Sequence, residues 1–315
     1  MIKTIFIICI LTLFSSYLKS ETFTLTDDNL NGGYLGQKIS FIKDSDGNLS
    51  IADIIKNPDC WKEKITLPAN FGYSQAAFWF KIPIENPDLT DKQWFMEFGY
   101  SQLDDIRVFI PENGIYREVF GSDTRPFGER QVKHPNFILP LYTPHGVHDF
   151  IIRVKTKGAV SIPIRGWTND SLLEKFSFDF LLFGLIYGIL LIILIYNLLI
   201  YLSLKDKGYL YFTIFIVSYT LMSLVLTGYG YMMIWPHIPV INDSSAFFVL
   251  LTCTTGIIFT RKFINIKNIL PHVDKYFMYM EIISISAMIL TIFIPYHLAM
   301  QTANMCIFFS SLFAT

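Results

Sequence analysis

The sequence predicts two fold classes in series, an all-β sandwich followed by an all-α polytopic membrane helix bundle. Three observations carry this reading. Phe178–Leu204 holds one acid, Asp179, near its start and no further charge until Lys205. An apolar run longer than about 18 residues crosses a bilayer as a helix, and nothing that long and apolar alternates faces as a strand. Upstream, short alternating segments separated by turn residues recur at roughly the 8–12-residue spacing of a sandwich. Downstream lie four further apolar runs. The chain therefore divides into 1–20 as a signal peptide, 21–168 as an extracytoplasmic sandwich and 177–315 as a membrane domain of about five helices. Whole-chain figures, 52% hydrophobic with a mean hydropathy of +0.42, average two different solvents. The net charge of -1, without a basic tail, gives no sign of a nucleic-acid partner.

Met1–Ser20 places Lys3 before an apolar stretch from Thr4 to Phe14 and then Ser15 and Ser16. That is the layout of a secretory signal peptide, with an apolar core too short to span, and it directs export of the domain behind it. Of the four cysteines, Cys9 goes with this segment and Cys253 and Cys306 lie in apolar runs, leaving Cys60 alone in the exported domain. No disulfide framework is available, so packing has to hold that domain together.

Within the exported domain, Asp44–Asn48 (DSDGN) reads as a turn and Ser50–Ile55 as one helical turn or a short strand. Phe78, Phe80, Ile82 and Ile84 share one strand face, as do Trp94, Met96 and Phe98, then Ile106, Val108 and Ile110, then Phe150, Ile152 and Val154, and last Ile162 and Ile164. A one-residue slip would reverse each set, so the register is fixed by the apolar face. The opposite faces collect Trp79, Lys81, Arg107, Phe109, Arg153, Lys155 and Arg165. Such a face is either the wetted side of a sheet or a ligand platform, where rings stack on a sugar and guanidinium groups grip carboxylates or phosphates. Trp79 is the exception to the wetted reading, because a large ring is expensive to leave in water; it lies under another element or at a binding site. The candidate ligand contacts are Trp79, Lys81, Arg107, Phe109, Arg153 and Arg165. His145, His148 and Asp149 sit around Pro144 and Gly146, a turn without metal-ligand spacing, and no metal or other cofactor is expected. No nucleophile elbow, paired-acid constellation or phosphate loop is present, so this domain reads as a binder.

After the first span come Gly208–Leu226, Phe247–Phe263, Tyr276–Ile294 and Leu298–Thr315. Lys205 and Lys207 separate the first two runs, and Arg261, Lys262, Lys267 and Lys275 separate the third and fourth. The connections at 228–240 and 295–297 carry no lysine or arginine. Basic loops stay in the cytoplasm, which puts the sandwich outside, in agreement with the signal peptide. The polar candidates inside the runs are Asn197, Glu281 and Asn304. Glu281 either lines a functional path or snorkels to the cytoplasmic side beside Lys275, and the two asparagines read as interhelical hydrogen-bond glue.

Several stretches resemble one family: Lys38–Ile54, Ser74–Asn86, Gln93–Pro111, Gly121–Arg130 and Asp149–Trp167 are similar to the type 2 extracellular domain of the bacterial seven-transmembrane receptors with diverse intracellular signalling modules. Gly184–Phe212, with its Tyr196-Asn197 pair, is similar to the start of that family's membrane domain. The resemblance implies a jelly-roll sandwich akin to carbohydrate-binding modules, a small-molecule or saccharide ligand, and residence in the cytoplasmic (inner) membrane. It implies helices that relay to a cytoplasmic effector in cis or in trans, and a second copy of the chain is a further expected partner. The run that reaches Thr315 is read as the fifth of seven spans, with any catalytic module lying beyond this chain. The competing expectation is a transport or envelope-assembly subunit that uses the sandwich for docking; a transporter would place broken helices at mid-membrane, and these runs show little of that.

Overall fold

The computed structural model describes residues 22–311, apart from 37, 38, 62 and 113. The expected signal peptide lies outside the described residues. Strands β1 (Phe23–Thr24), β2 (Asn31–Tyr34), β3 (Ile39–Asp44), β4 (Glu63–Ile65), β5 (Ala69–Tyr73), β6 (Ala77–Asn86) and β7 (Lys92–Phe98) are followed by β8 (Asp105–Glu112), β9 (Ile115–Gly121), β10 (Phe137–Thr143), β11 (Gly146–Lys155), β12 (Ala159–Ile162) and β13 (Ile164–Trp167). The larger sheet runs β4-β3-β6-β11-β8-β9, with β1 added in parallel to β6. The facing sheet runs β10-β7-β13-β2, and β5 with β12 forms a separate ribbon.

The two sheets close on the predicted inner faces. Phe78, Phe80, Ile82, Ile84, Trp94, Met96, Phe98, Ile106, Val108, Phe150, Ile152 and Ile164 share one buried core. Each fully buried side chain of this kind contributes roughly 1.5–3 kcal/mol, so the core holds the domain without a disulfide. Trp94 is satisfied there as well, its indole N–H donating to Thr143 Oγ1 at 2.9 Å. The stretch after Asp44–Asn48 resolves to a helix, α1 (Ile51–Lys56), started by a capping box between Ser50 and Asp53.

The membrane half contains α2 (Asn169–Leu204), α3 (Lys207–Thr227), α4 (Tyr229–Met233), α5 (Ser245–Phe263), α6 (Ile266–Ile269), α7 (Pro271–Leu290) and α8 (Tyr296–Ser311). Among the described residues three segments are long and apolar enough, by length and composition, to cross a membrane: α2, α3 and Pro239–Phe263. The last two predicted runs also fold as helices. However, α7 carries Asp274, Lys275 and Glu281, and α8 is described over 16 residues. The α2 helix is 36 residues long, about 54 Å at about 1.5 Å per residue, so it begins on the sandwich and ends well beyond it. The connections around 228–244 and Tyr296, which carry no lysine or arginine, meet the sandwich: Phe127 N–H donates to Pro236 O at 2.9 Å, and Tyr296 packs beside Gly158. Arg261, by contrast, is paired at the other end of α5. The charge asymmetry of the connections therefore matches the polarity of the fold.

Candidate functional site

The aromatic and cationic strand face does not form an open platform. Trp79 is 1% exposed and lies under α1, in a cluster with Ile54, Phe109 and Ile151. Its ring stacks on Phe109 with centroids 5.8 Å apart. The two aromatics proposed as ligand contacts are thus core residues of a second, smaller cluster, and of the two alternatives for Trp79 the structure takes the covering element. The cations of that face answer its own acids. Lys81 pairs with Asp149 at 2.7 Å, Arg107 with Asp105 at 3.2 Å and Glu118 at 3.4 Å, and Arg153 with Asp105 at 2.6 Å. Arg165 is not part of this face; it stands on β13 in the other sheet.

That other sheet leads to the junction with the membrane. The β13 strand ends at Trp167, and Thr168 caps α2 through a reciprocal box with Ser171. Thr168 N–H and Ser171 Oγ both donate to Leu30 O, each at 2.8 Å, which fixes the helix start to the strand edge. A buried carboxylate reaches from the sheet to the helix. Glu97 on β7 is 1% exposed. It accepts from Trp167 Nε1 and Asn136 Nδ2, both at 2.7 Å, and pairs with Lys175 of α2 at 3.2 Å. Lys175 also donates to Asp179 one turn on. His134 stacks on Phe176 of α2 with centroids 4.7 Å apart. Its Nδ1 accepts from Asn136 N–H at 3.1 Å, which assigns the ring proton to Nε2. Burial, and then the nearby Lys175 ammonium, hold the His134 pKa well below the ordinary imidazole value, so the ring stays neutral.

Above this network lies a cavity of ≈ 520 Å³, within the range of small-molecule sites. Glu97, His134 and Arg165 line it from the sandwich, and Lys175, Asp179 and Tyr229 from the helices. Among the predicted contacts only Arg165 reaches it.

Two family models match, and together they cover most of the chain. Residues 36–168 match the 7TMR-DISM extracellular 2 domain. Residues 179–315 match the 7TM diverse intracellular signalling domain. The chain belongs to the 7TM-DISM receptor family. No curated protein matches it. Both matched domains of the receptor are sensory rather than catalytic.

A second contact joins the receptor's halves. The loop from Gly121 to Asn136 drives Phe127 into a cluster with Val225, Tyr231 and Trp235. Tyr231 OH donates to Arg125 O. Arg130 donates to the carbonyls of His134 and Pro135 at 3.0 and 2.6 Å and lies over the Phe137 ring. Burial pushes its pKa down to about 10. Asp123 is 5% exposed. Burial, with Asp104 and Asp243 adding repulsion, pushes its pKa up to about 7.

The polar residues of the receptor's helices differ from expectation in their partners. Asn197 donates to Ile193 O of its own helix at 2.8 Å, so this bond does not join helices. Asn304 donates to the Tyr73 hydroxyl at 3.0 Å, tying α8 to the sandwich ribbon. Glu281 is met by Arg261 of α5, not by Lys275, and the same guanidinium pairs with Asp274 at 3.0 Å. A long side chain from a neighbouring helix answers the carboxylate before the membrane surface can.

Proposed function

We propose that this chain is the input part of a transmembrane signalling receptor of the cytoplasmic membrane. Its sandwich takes up a small ligand, of saccharide size, outside the membrane. The helices, five within this chain, carry the resulting shift to a cytoplasmic effector held in cis or in trans. The observation that supports this most is the Glu97–Lys175–Asp179 clamp: one buried carboxylate of the sheet and one side chain of a membrane helix form a single ion-paired unit. A ligand that favours one arrangement of the sheet therefore biases the helix, by as much as its affinity for the two arrangements differs. The competing docking-subunit reading gives no reason for a buried charge pair at this position.

Removing one partner of a buried pair costs about 3 kcal/mol or more, because the other charge is left uncompensated. Lys175→Met in the full chain, reconstituted in nanodiscs, is expected to speed amide exchange in both β7 and the first turns of α2. Exchange faster in α2 alone would mean that the sandwich is merely tethered.

A further inference from the structure

The junction cavity brings together a guanidinium without a counter-charge and a buried imidazole N–H without an acceptor. Arg107, Arg117, Arg125, Arg153 and Arg261 each hold a carboxylate. Arg130 is committed to two backbone carbonyls. Arg165 lines the cavity and donates to the Tyr34 hydroxyl at 2.8 Å, with its guanidinium 4.7 Å from that ring's centroid. Glu97 is its cross-strand neighbour, but that carboxylate is taken by Trp167, Asn136 and Lys175. Among the described residues Arg165 has no ion-pair partner, and a guanidinium beside a cavity is a ready seat for a carboxylate.

The second group is His134. It is 2% exposed, and its Nε2 finds no hydrogen-bond acceptor. Since Nδ1 already accepts from Asn136, Nε2 carries the proton and is a buried donor that stays unpaired. The nearest carboxylate oxygen, on Asp179, is 3.5 Å away and is held by Lys175, too far for a good bond. A hydroxyl bridging this pair from the cavity side would accept from Nε2–H and donate to the Asp179 carboxylate. The walls add the rings of Tyr34, Tyr100 and Phe183.

We propose that the junction cavity binds a small hydroxycarboxylate, with its carboxylate on Arg165 and a hydroxyl bridging His134 Nε2 and Asp179. The proposal gives the receptor reading a ligand class and a place, and its role in signalling rests on that reading, whereas the binding itself does not. Titration calorimetry on the full chain in phosphatidylcholine nanodiscs tests it with gluconate, with sorbitol (the same polyol without the carboxylate) and with acetate (the carboxylate without the hydroxyls). Gluconate is expected to bind at least about tenfold tighter than either. Arg165→Gln, at a half-buried site, is expected to keep the melting temperature, to lower gluconate affinity to that of sorbitol and to leave sorbitol unchanged. Phosphatidylglycerol presents the same chemistry, an oxyanion with hydroxyls, from a headgroup. Gluconate affinity that falls in discs containing it would assign the site to lipid, and an unchanged affinity would assign it to a soluble ligand. No gluconate binding up to about 10 mM, no preference over sorbitol, or full gluconate affinity in Arg165→Gln would each overturn the proposal. The Lys175 clamp, tested by exchange, would stand regardless.

Discussion

Trp79 shows what alternation along a strand can and cannot say. Period-2 reading places it correctly opposite Phe78 and Phe80, but whether that side is wet depends on α1, a helix more than twenty residues away in sequence. Because the ring lies in a closed cluster with Ile54, Phe109 and Ile151, Trp79→Ala leaves a cavity and is expected to destabilise the sandwich by about 3–5 kcal/mol. Thermal unfolding followed by far-UV dichroism checks this; an unchanged midpoint would mean that the ring is not in the core. Asp123 makes the opposite kind of prediction, one that depends on pH. Its carboxyl is pushed up to about 7 in the folded chain from an ordinary value of 3.8. Between those values the unfolded chain releases this proton while the folded chain keeps it, so stability from this group is full below 3.8 and is lost as pH rises toward 7. Asp123→Asn should therefore be more stable than the parent at pH near 7.5, with the gain shrinking as pH falls toward 4. A gain independent of pH would remove titration of Asp123 as its cause.

At the scale of elements, the inner faces of the strands could be read directly, because burial on both sheets imposes one period on local sequence. The junction could not, since Glu97, His134 and Lys175 come from β7, a loop and α2 and meet only in the folded chain. One local signal was available: Lys175 and Asp179 stand four apart at the head of an apolar helix, a charged pair where lipid begins. Arg165 was legible as a binding candidate for its chemistry, but its sheet and its companions were not. The close approach of the two halves rests on Gly228. It caps α3 with φ +78, and a Cβ there would lie 2.9 Å from Ser101 Cβ and 3.3 Å from Pro135 Cβ. Gly228→Ala combines left-handed strain with a steric wedge between sandwich and helices. It is expected to break the Ser101 Oγ bond to Leu226 O and to raise amide exchange along residues 121–136. Unchanged exchange would show that the contact is loose enough to absorb a methyl group.

For the whole molecule, the central claim is that the sandwich and the inner ends of the helices are mechanically joined. The α2 helix is continuous from its cap at Thr168 to Leu204, while Arg261 clamps α5 to α7 through Asp274 and Glu281 at the far end. On the proposed reading, a change in how α2 sits under the sheet would move Lys205 relative to the basic connection that holds Lys267. The direct measurement is the distance distribution between spin labels at positions 205 and 267, in a cysteine-free full chain in nanodiscs, with and without Lys175→Met. Breaking the clamp is predicted to shift or broaden that distribution. An identical distribution, in a sample whose β7 exchange confirms that the clamp is broken, would contradict the claim.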